Sequence, residues 1–295
     1  MVVRLKNNEQ YNLPKQVQKT LNKYAYVFNP SLVISRENHY LAIRAFCKES
    51  NSILALLFVW NDKKEVQEVN LTHYFCSRLK LVKVADPKLF VLEEEVYGTF
   101  NSGDAIKGSN SIILFQLDKS LIKNYYECIY SDRIKTEKNW AFFKEKEEMF
   151  VLYSLDPLKI LKLDKVSENK IFFKNFFCDP TQRLKNHSIG TPLIRVKNGY
   201  GFIAHKKLYR KRKRLYLGKM AILKTSGPVV VSVRSIPIIH SFESLLGSKF
   251  KFNKNLISCS YFSGLYRYQN KLILGYGIND IDYNIVIVNK KKLWL

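Results

Sequence analysis

Five short groups of polar and turn-forming residues are spread along the 295-residue chain, and they contain residue types that can bind sugars or phosphate. Arginine can form two parallel hydrogen bonds to hydroxyls or phosphate, a carboxylate can accept two hydrogen bonds from a diol, and imidazole can bind either group. The groups are Asn29-Pro30 with Arg44, Asp86-Pro87-Lys88, Glu137-Lys138-Asn139-Trp140, Gly190-Thr191-Pro192 with His205, and Ser263-Gly264 with Asp280. Taken singly, each is more typical of a turn, a salt bridge or a structural histidine than of a site.

Strand-like segments recur from residue 24 to the end of the sequence, so the predicted fold class is all-β. Apolar and aromatic residues, including 18 Tyr and 19 Phe, gather in short runs bounded by polar or turn residues. Examples are the segments 40–46, 53–60, 79–84, 214–224 and 271–277. Helices are predicted only over 14–24 and 241–246.

The five polar groups open five units of strands, spaced by about 50 to 70 residues, which is the length of a four-stranded propeller blade with its loops. The sequence therefore predicts one five-bladed β-propeller over 24–295, preceded by a partly helical N-terminal extension over 1–23. A pair of β-sandwiches is the alternative, because the units share no strict signature. In a propeller the inner strands converge on one channel, so the separated polar groups would meet there.

In this order and at this spacing, the five groups resemble glycoside hydrolase family 130, the five-bladed β-mannoside phosphorylases, and the related glycosyltransferase family 108. The resemblance covers nearly the whole chain. It implies an enzyme for inverting glycosyl transfer on β-mannosides or similar hexosides. Inorganic phosphate, a sugar phosphate or a nucleotide sugar would be the co-substrate, and neither a metal nor another cofactor is expected.

The resemblance also implies roles for individual residues. Asp86 matches the catalytic aspartate, which acts as proton donor through a hydroxyl of the bound sugar. One carboxylate suffices in that scheme, because phosphate is already a competent nucleophile. The implied substrate-binding residues are Asn29, Arg44, Lys88, Lys138, Asn139, His205 and Asp280.

Departures from the family pattern affect the expected phosphate site. Ala85 and Lys88 stand where the family has an acidic residue and an arginine around the Asp-Pro pair, and the segment 153–157 lacks an arginine common in phosphorylases. The remaining candidates for an anionic subsite are Lys138, Asn139, Lys206 and Lys207. Phosphorylase, transferase and hydrolase reactions therefore all stay open.

The chain is strongly basic, with 49 Lys and Arg against 25 Asp and Glu and a net charge of +24. Such a field attracts phosphate, acidic glycans, nucleic acid or an anionic membrane. The densest basic run, residues 206–214, is interpreted as a solvated loop between two strands. The alternative function is a non-catalytic propeller that binds an acidic partner through this run. The expected partners are an oligosaccharide or sugar-phosphate substrate and, peripherally, an anionic membrane, whereas nucleic acid is not expected.

Five scattered cysteines without a C-x-x-C pair indicate neither a disulfide framework nor a zinc site. The first ten residues are polar, and no apolar run reaches the ~18 residues that span a bilayer. We therefore expect a cytoplasmic location. The sequence also lacks the serine-hydrolase elbow, the phosphate-binding loop of nucleotide hydrolases and the dinucleotide fingerprint.

Overall fold

In the computed structural model the strands form five antiparallel units, and the structure describes residues 1–63, 65–103, 109–210, 213–246 and 256–294. The chain begins with strands β1 (Val3–Arg4) and β2 (Glu9–Gln10) and helix α1 (Lys15–Leu21). The first blade follows, with strands β3 (Tyr26–Ser35), β4 (Asn38–Cys47), β5 (Ser52–Trp60) and β6 (Val66–Asn70).

Helix α2 (Leu71–Leu79) connects the first blade to the second. The second blade contains β7 (Ala85–Leu92), β8 (Glu95–Asn101), β9 (Ile112–Asp118) and β10 (Leu121–Tyr130). The third contains β11 (Ala141–Glu145), β12 (Glu148–Leu155), β13 (Leu158–Ser167) and β14 (Lys170–Asp179). Parallel pairing of β10 with β14 joins these two blades into one sheet.

In the fourth blade, two short strands pair with one long strand. Its strands are β15 (His187–Ile189), β16 (Ile194–Val196), β17 (Gly199–Arg210), β18 (Lys213–Lys224) and β19 (Val230–Ile239), and helix α3 (Phe242–Leu246) follows. The fifth blade contains β20 (Leu256–Tyr268), β21 (Lys271–Ile278) and β22 (Asp282–Asn289), and helix α4 (Lys290–Trp294) ends the fold. β1 pairs with β19 and β2 with β22, so the start of the chain adds the outermost strands of the last two blades.

In the described part of the chain, five clusters of buried apolar side chains lie between successive blades. Strand β4 shows how they arise. Tyr40 and Ala42 pack in the cluster shared with the second blade, whereas Leu41 and Ile43 pack in the cluster shared with the fifth blade and α1. Because both faces of a blade are covered, its middle strands have continuous apolar runs instead of an alternating pattern. Five interfaces between five blades close the ring.

The segment 79–84, predicted to be a strand, is instead the end of helix α2 and the turn after it. Asn70 caps this helix, because its Oδ1 accepts a hydrogen bond from the His73 N–H at 2.9 Å. Leu71 and Phe75, four residues apart on the helix, are fully buried in the cluster between the first two blades. Burial of this helical pair overrides the strand-like composition. The helices predicted over 14–24 and 241–246 are confirmed as α1 and α3.

Candidate active site

The inner ends of the five blades meet at one polar cavity of about 840 Å³. Every blade contributes to its wall, in chain order through Asn29, Arg44, Asp86, Lys138, Asn139, Lys207, Arg214, Tyr216, Tyr261 and Asp280. The propeller thus brings together six of the eight residues predicted from the sequence, although they are up to about 250 positions apart.

Four residues of the wall have backbone angles that are uncommon outside glycine. The φ angle is 54° at Asn29, 50° at Asp86, 61° at Asn139 and 57° at Asp280. Asn29 and Asp86 lie where the pairing of their strands shifts register, as in a β-bulge. Asn and Asp tolerate this conformation better than other side chains, and backbone strain of this kind is concentrated at functional sites.

Asp86 is held by two side chains from the first blade. Arg44 Nη1 donates a hydrogen bond to Asp86 Oδ1 at 2.7 Å, and Asn29 Nδ2 donates to the same oxygen at 3.2 Å. Burial alone would raise the pKa of Asp86. The charges of Arg44 and Lys88, the Asn29 hydrogen bond and the charge of Lys138 outweigh burial and hold this pKa below its ordinary value. Asp86 is therefore ionised at neutral pH, and no described residue hydrogen-bonds its second oxygen, Oδ2.

Two glycines of the fifth blade make room for the Asn29-Pro30 segment. A Cβ atom on Gly277 would lie 2.0 Å from Asn29 Oδ1, and one on Gly275 would lie 2.2 Å from the Pro30 carbonyl oxygen. A larger residue at either position would push the first blade away from the fifth. The two glycines thus allow the close approach that sets Asn29 beside Asp86.

Asp280 lies in the tight turn between β21 and β22 and also lines the cavity. The preceding residue anchors this turn, because Asn279 Oδ1 accepts a hydrogen bond from the Cys259 N–H at 2.9 Å. Burial raises the pKa of Asp280 to about 6, and the charge of Asp86 adds to the rise while Arg44 and Arg214 oppose it. No described residue hydrogen-bonds the Asp280 carboxyl group, so its oxygens are available to a ligand.

Lys88 links the second blade to the third and fourth within the interior. Its Nζ donates hydrogen bonds to Asn139 Oδ1 at 2.8 Å and to the Gly190 carbonyl oxygen. Tyr261 donates to the same Asn139 oxygen at 3.2 Å. Burial lowers the pKa of Lys88 to about 7, an effect that the Asp86 charge partly offsets. Lys88 was expected to contact substrate, but its side chain turns inward to these acceptors and does not line the main cavity.

Lys88 should make the protein more stable as pH rises from about 7 to about 10. In this window the lysine is protonated in the unfolded chain and largely neutral in the folded protein, so the unfolded state binds more protons and rising pH favours folding. Urea denaturation at pH 7, 8 and 9 measures this effect. We expect the free energy of unfolding of wild type to rise with pH relative to that of Lys88→Met. The exposed Lys170→Met is the control, and a difference that stays flat for Lys88→Met would contradict the assignment.

His205 also lies in the interior, fully buried behind the cavity wall. Its Nε2 accepts a hydrogen bond from the Phe262 N–H at 2.8 Å, and its ring lies 4.4 Å from the Tyr261 ring. Burial and the charges of Lys88 and Lys207 hold its pKa well below the ordinary value. The neutral ring is therefore engaged in packing two blades together. His205 was predicted to bind substrate, but in the structure neither nitrogen of its ring is exposed.

A buried glutamate shapes the third-blade wall. Glu137 is 2% exposed, and its carboxylate accepts hydrogen bonds from Tyr153 Oη at 2.7 Å and Trp140 Nε1 at 2.9 Å. These bonds fix the segment that presents Lys138 and Asn139 to the cavity. The group Glu137-Lys138-Asn139-Trp140, which the sequence singled out as a whole, thus has a structural part and a part that faces the cavity.

Replacing Glu137 with alanine should destabilise the fold by roughly 3 kcal/mol, because the buried Trp140 N–H and the half-buried Tyr153 hydroxyl lose their acceptor. Urea denaturation measures this loss. Glu148→Ala, at an exposed position on β12, is the matched control, and its effect should stay within about 0.5 kcal/mol. A loss below about 1 kcal/mol for Glu137→Ala would contradict the supporting role of this carboxylate.

The basic run 206–214 is not a loop, so this prediction is wrong. Strand β17 continues through Arg210 and β18 begins at Lys213, and these two residues pair with each other. Residues 211 and 212 lie outside the described residues. The hairpin brings Lys207, Arg214 and Tyr216 to the cavity wall. Arg214 and Tyr216 were not predicted as site residues, although alternate positions along paired strands share a face.

Solved structures with a similar arrangement of blades include carbohydrate-active proteins. One comes from the glycoside hydrolase family 130 of mannoside phosphorylases, described as containing glycoside hydrolases that target β-1,2 mannosidic linkages in Candida mannan. It is 14% identical, with a TM-score of 0.65 over 98% of this chain and 91% of its own. This chain has the fold of the family 130 mannoside phosphorylases. The predicted five-bladed propeller is thereby confirmed, and the resemblance holds at the level of the fold.

Two further structures extend this finding. A glycosyl hydrolase from Bacteroides ovatus is 12% identical, with a TM-score of 0.62 over 98% of this chain and 91% of its own. The β-1,2-mannobiose phosphorylase from Listeria innocua, in complex with β-1,2-mannobiose, is 13% identical, with a TM-score of 0.55 over 91% of each chain. No family model matches the sequence, and no curated protein matches it significantly.

Among the described residues, no helix is both long enough and apolar enough to cross a membrane. Nor do three or more His, Cys, Asp or Glu side chains in this part of the chain come together as a metal-binding group.

Proposed function

We propose that the protein is a carbohydrate-active enzyme that transfers glycosyl groups with inversion at the anomeric carbon, acting on β-mannosides or similar hexosides. The observation that carries this proposal is the ionised Asp86 carboxylate in a cavity lined by polar side chains from all five blades. Asn29, Arg44, Asn139 and Asp280 supply donors and acceptors of the kind that bind sugar hydroxyls. The mannobiose phosphorylase with a similar fold supports the choice of substrate.

In the direction of synthesis, Asp86 acts as a base. An acceptor hydroxyl attacks the anomeric carbon of an α-linked donor while the bond from that carbon to the leaving oxygen breaks. The leaving group takes the bonding electron pair, and the acceptor hydroxyl gives its proton to Asp86, directly or through a neighbouring sugar hydroxyl. The product is β-linked. In the reverse direction, protonated Asp86 returns the proton toward the glycosidic oxygen.

The surroundings of Asp86 suit the basic role. Arg44 and Asn29 bind one oxygen of the carboxylate and keep it ionised, which leaves Oδ2 for a substrate hydroxyl. Asp280, with a pKa of about 6, changes charge close to neutral pH and could bind a sugar diol as acceptor or donor. These two carboxylates have pKa values shifted in opposite directions, a pattern typical of sites with distinct roles for two acids.

The co-substrate is proposed to be inorganic phosphate, a sugar phosphate or a nucleotide sugar, without a metal or other cofactor. Phosphorylase, transferase and hydrolase reactions release different products, so a product assay can distinguish them. A cytoplasmic location and peripheral contact with an anionic membrane stay predictions from the sequence, and nucleic acid is not an expected partner.

A product assay tests the proposal. Purified protein is given mannose 1-phosphate or GDP-mannose as donor, with mannose and short β-mannosides as acceptors, and β-1,2-mannobiose alone in a separate reaction. Elongation with release of phosphate would identify phosphorylase chemistry, elongation only from GDP-mannose a nucleotide-sugar transferase, and cleavage in water a hydrolase. The absence of product in every reaction would count against a mannoside enzyme and favour the non-catalytic alternative.

A further inference from the structure

The end of the β17–β18 hairpin has two faces with different surroundings. Residues at alternate positions of a strand share a face, and so do residues paired across two strands. Lys207, Arg214 and Tyr216 lie on the face that lines the cavity. The opposite face carries three cross-strand pairs, none of which lines the cavity: Lys206 with Leu217, Leu208 with Leu215, and Arg210 with Lys213. These six residues form the outer face of the hairpin.

The outer face combines adjacent leucines with exposed cations. Leu208 lies directly across from Leu215 and is 42% exposed, and Leu217 is the next residue of β18 on the same face. Arg210 and Lys213 follow at the end of the hairpin, where both side chains are exposed. A small apolar surface bordered by Lys and Arg is typical of protein elements that rest in the interface of a membrane.

The cations of the outer face have no acidic partner among the described residues. Lys206, Arg210 and Lys213 form no salt bridge in this part of the chain. Burial, and after it the charge of Lys206, lowers the pKa of Lys219 on the same face of β18. The same two causes lower the pKa of His187, which pairs with Lys206 from β15. Positive charge thus accumulates here, and an anionic surface would relieve the repulsion.

We propose that the outer face of the hairpin docks the protein on an anionic membrane, with its leucines against the lipid and its cations beside the acidic headgroups. Each Lys or Arg held near such a surface strengthens binding about fivefold. Tyr209, at the same end of the hairpin, is 59% exposed, and tyrosine is common at the level of the headgroups. The phosphates of a nucleic acid would also attract the cations, but they offer no apolar contact to the leucines.

Docking on this face would hold the cavity beside the membrane, because part of the cavity wall is the other face of the same two strands. The net charge of the chain predicts membrane contact but gives it no location on the molecule. Docking needs no catalysis, so it goes beyond the proposed function. A failure of the glycosyl-transfer assay would leave it standing.

Sedimentation with lipid vesicles tests the docking surface. The vesicles contain phosphatidylcholine alone or with about 30% phosphatidylserine, and a short DNA duplex is titrated separately as a soluble polyanion. The variant Arg210→Ala/Lys213→Ala removes two exposed cations from the outer face. Its matched control, Lys123→Ala/Lys170→Ala, removes two exposed cations from β10 and β14. Leu208→Thr removes apolar surface but keeps the charge and a residue suited to a strand.

We expect wild type to bind the anionic vesicles at least tenfold more tightly than the neutral ones. Arg210→Ala/Lys213→Ala should bind the anionic vesicles at least tenfold more weakly than wild type, and the control variant should stay within threefold. Leu208→Thr should weaken vesicle binding at least threefold and leave DNA binding unchanged. Thermal unfolding checks that each variant keeps its fold, as is usual for changes at exposed positions.

Three results would overturn the proposal. Equal losses in the two double variants would indicate general charge attraction. Vesicle binding that Leu208→Thr leaves unchanged, with DNA bound as tightly as the vesicles, would identify a face for polyanions instead of lipid. Failure of wild type to bind the anionic vesicles would exclude membrane docking altogether.

Discussion

Asp86→Asn should reduce the rate of glycosyl transfer by roughly a thousandfold, because the amide cannot take the proton of the acceptor hydroxyl. The substitution keeps the shape of the side chain and an oxygen that can accept hydrogen bonds from Arg44 and Asn29. Sugar binding should therefore persist while turnover is lost. Initial rates with the donor that wild type uses, together with mannobiose titration, separate these two effects.

The matched control for this variant is Asp62→Asn. Asp62 also lies beside a basic side chain, 3.8 Å from His39 Nε2, but its side chain is 88% exposed and is not part of the cavity lining. Its substitution should leave the rate within about twofold of wild type, as is usual for surface changes. If Asp86→Asn retained more than about a tenth of the wild-type rate, Asp86 would not be the catalytic base.

Arg44→Met should move the acidic limb of the pH–rate profile for synthesis to higher pH by about one unit or more. Arg44 supplies the largest charge that opposes the effect of burial on Asp86, so its loss raises the pKa of Asp86 and leaves less of the ionised base at a given pH. The measurement is kcat/KM as a function of pH from 3 to 8, because the pKa of Asp86 in wild type lies below the ordinary value of an aspartate.

Arg44→Lys distinguishes charge from hydrogen-bond geometry. Lysine keeps the positive charge, so the acidic limb should stay close to that of wild type, although the rate falls because the forked hydrogen-bonding geometry is lost. Arg44 also lies over the Phe28 ring at 5.0 Å, and both variants weaken this contact. Identical limbs in wild type and Arg44→Met would show that Arg44 does not control the protonation of Asp86.

Much of the site could be predicted because five groups of residues, in their order and spacing, resemble those of glycoside hydrolase family 130. Asn29, Asp86 and Asn139 each mark the beginning of an inner strand, and the spacing of these openings gives the blade length. Asn and Asp are also the side chains that tolerate the left-handed backbone found there. Local sequence therefore carried information about a feature formed by distant parts of the chain.

The depth of a side chain below the cavity could not be predicted. His205 and Lys207 lie two positions apart on one strand, yet the first is fully buried and the second lines the cavity. Strand alternation assigns a face but not the point along the strand where the cavity wall ends. Lys88 adds a second difficulty, because a long side chain can turn toward internal acceptors whose positions depend on other blades.

Two further differences between prediction and structure concern the basic run and helix α2. The basic run 206–214 has too few apolar residues to suggest paired strands. Each of its described positions nevertheless continues the β17–β18 ladder. Helix α2 is short, and its signal is an Asn cap followed by the buried pair Leu71 and Phe75. Tertiary burial decided the case of helix α2, whose intrinsic propensity is weak. The described residues of the basic run are half-buried or exposed, and there the ladder of β17 and β18 simply continues beyond the buried part of the two strands.

The most direct test of the central claim is the anomeric configuration of the product, followed by proton NMR as an α-linked mannosyl donor that wild type uses and a β-mannoside acceptor react with wild type and Asp86→Asn. We predict that wild type forms a new β-linkage with equimolar release of the donor's leaving group, and that the variant gives no product above background. An α-linked product, or equal rates for the two proteins, would contradict inverting transfer with Asp86 as its base.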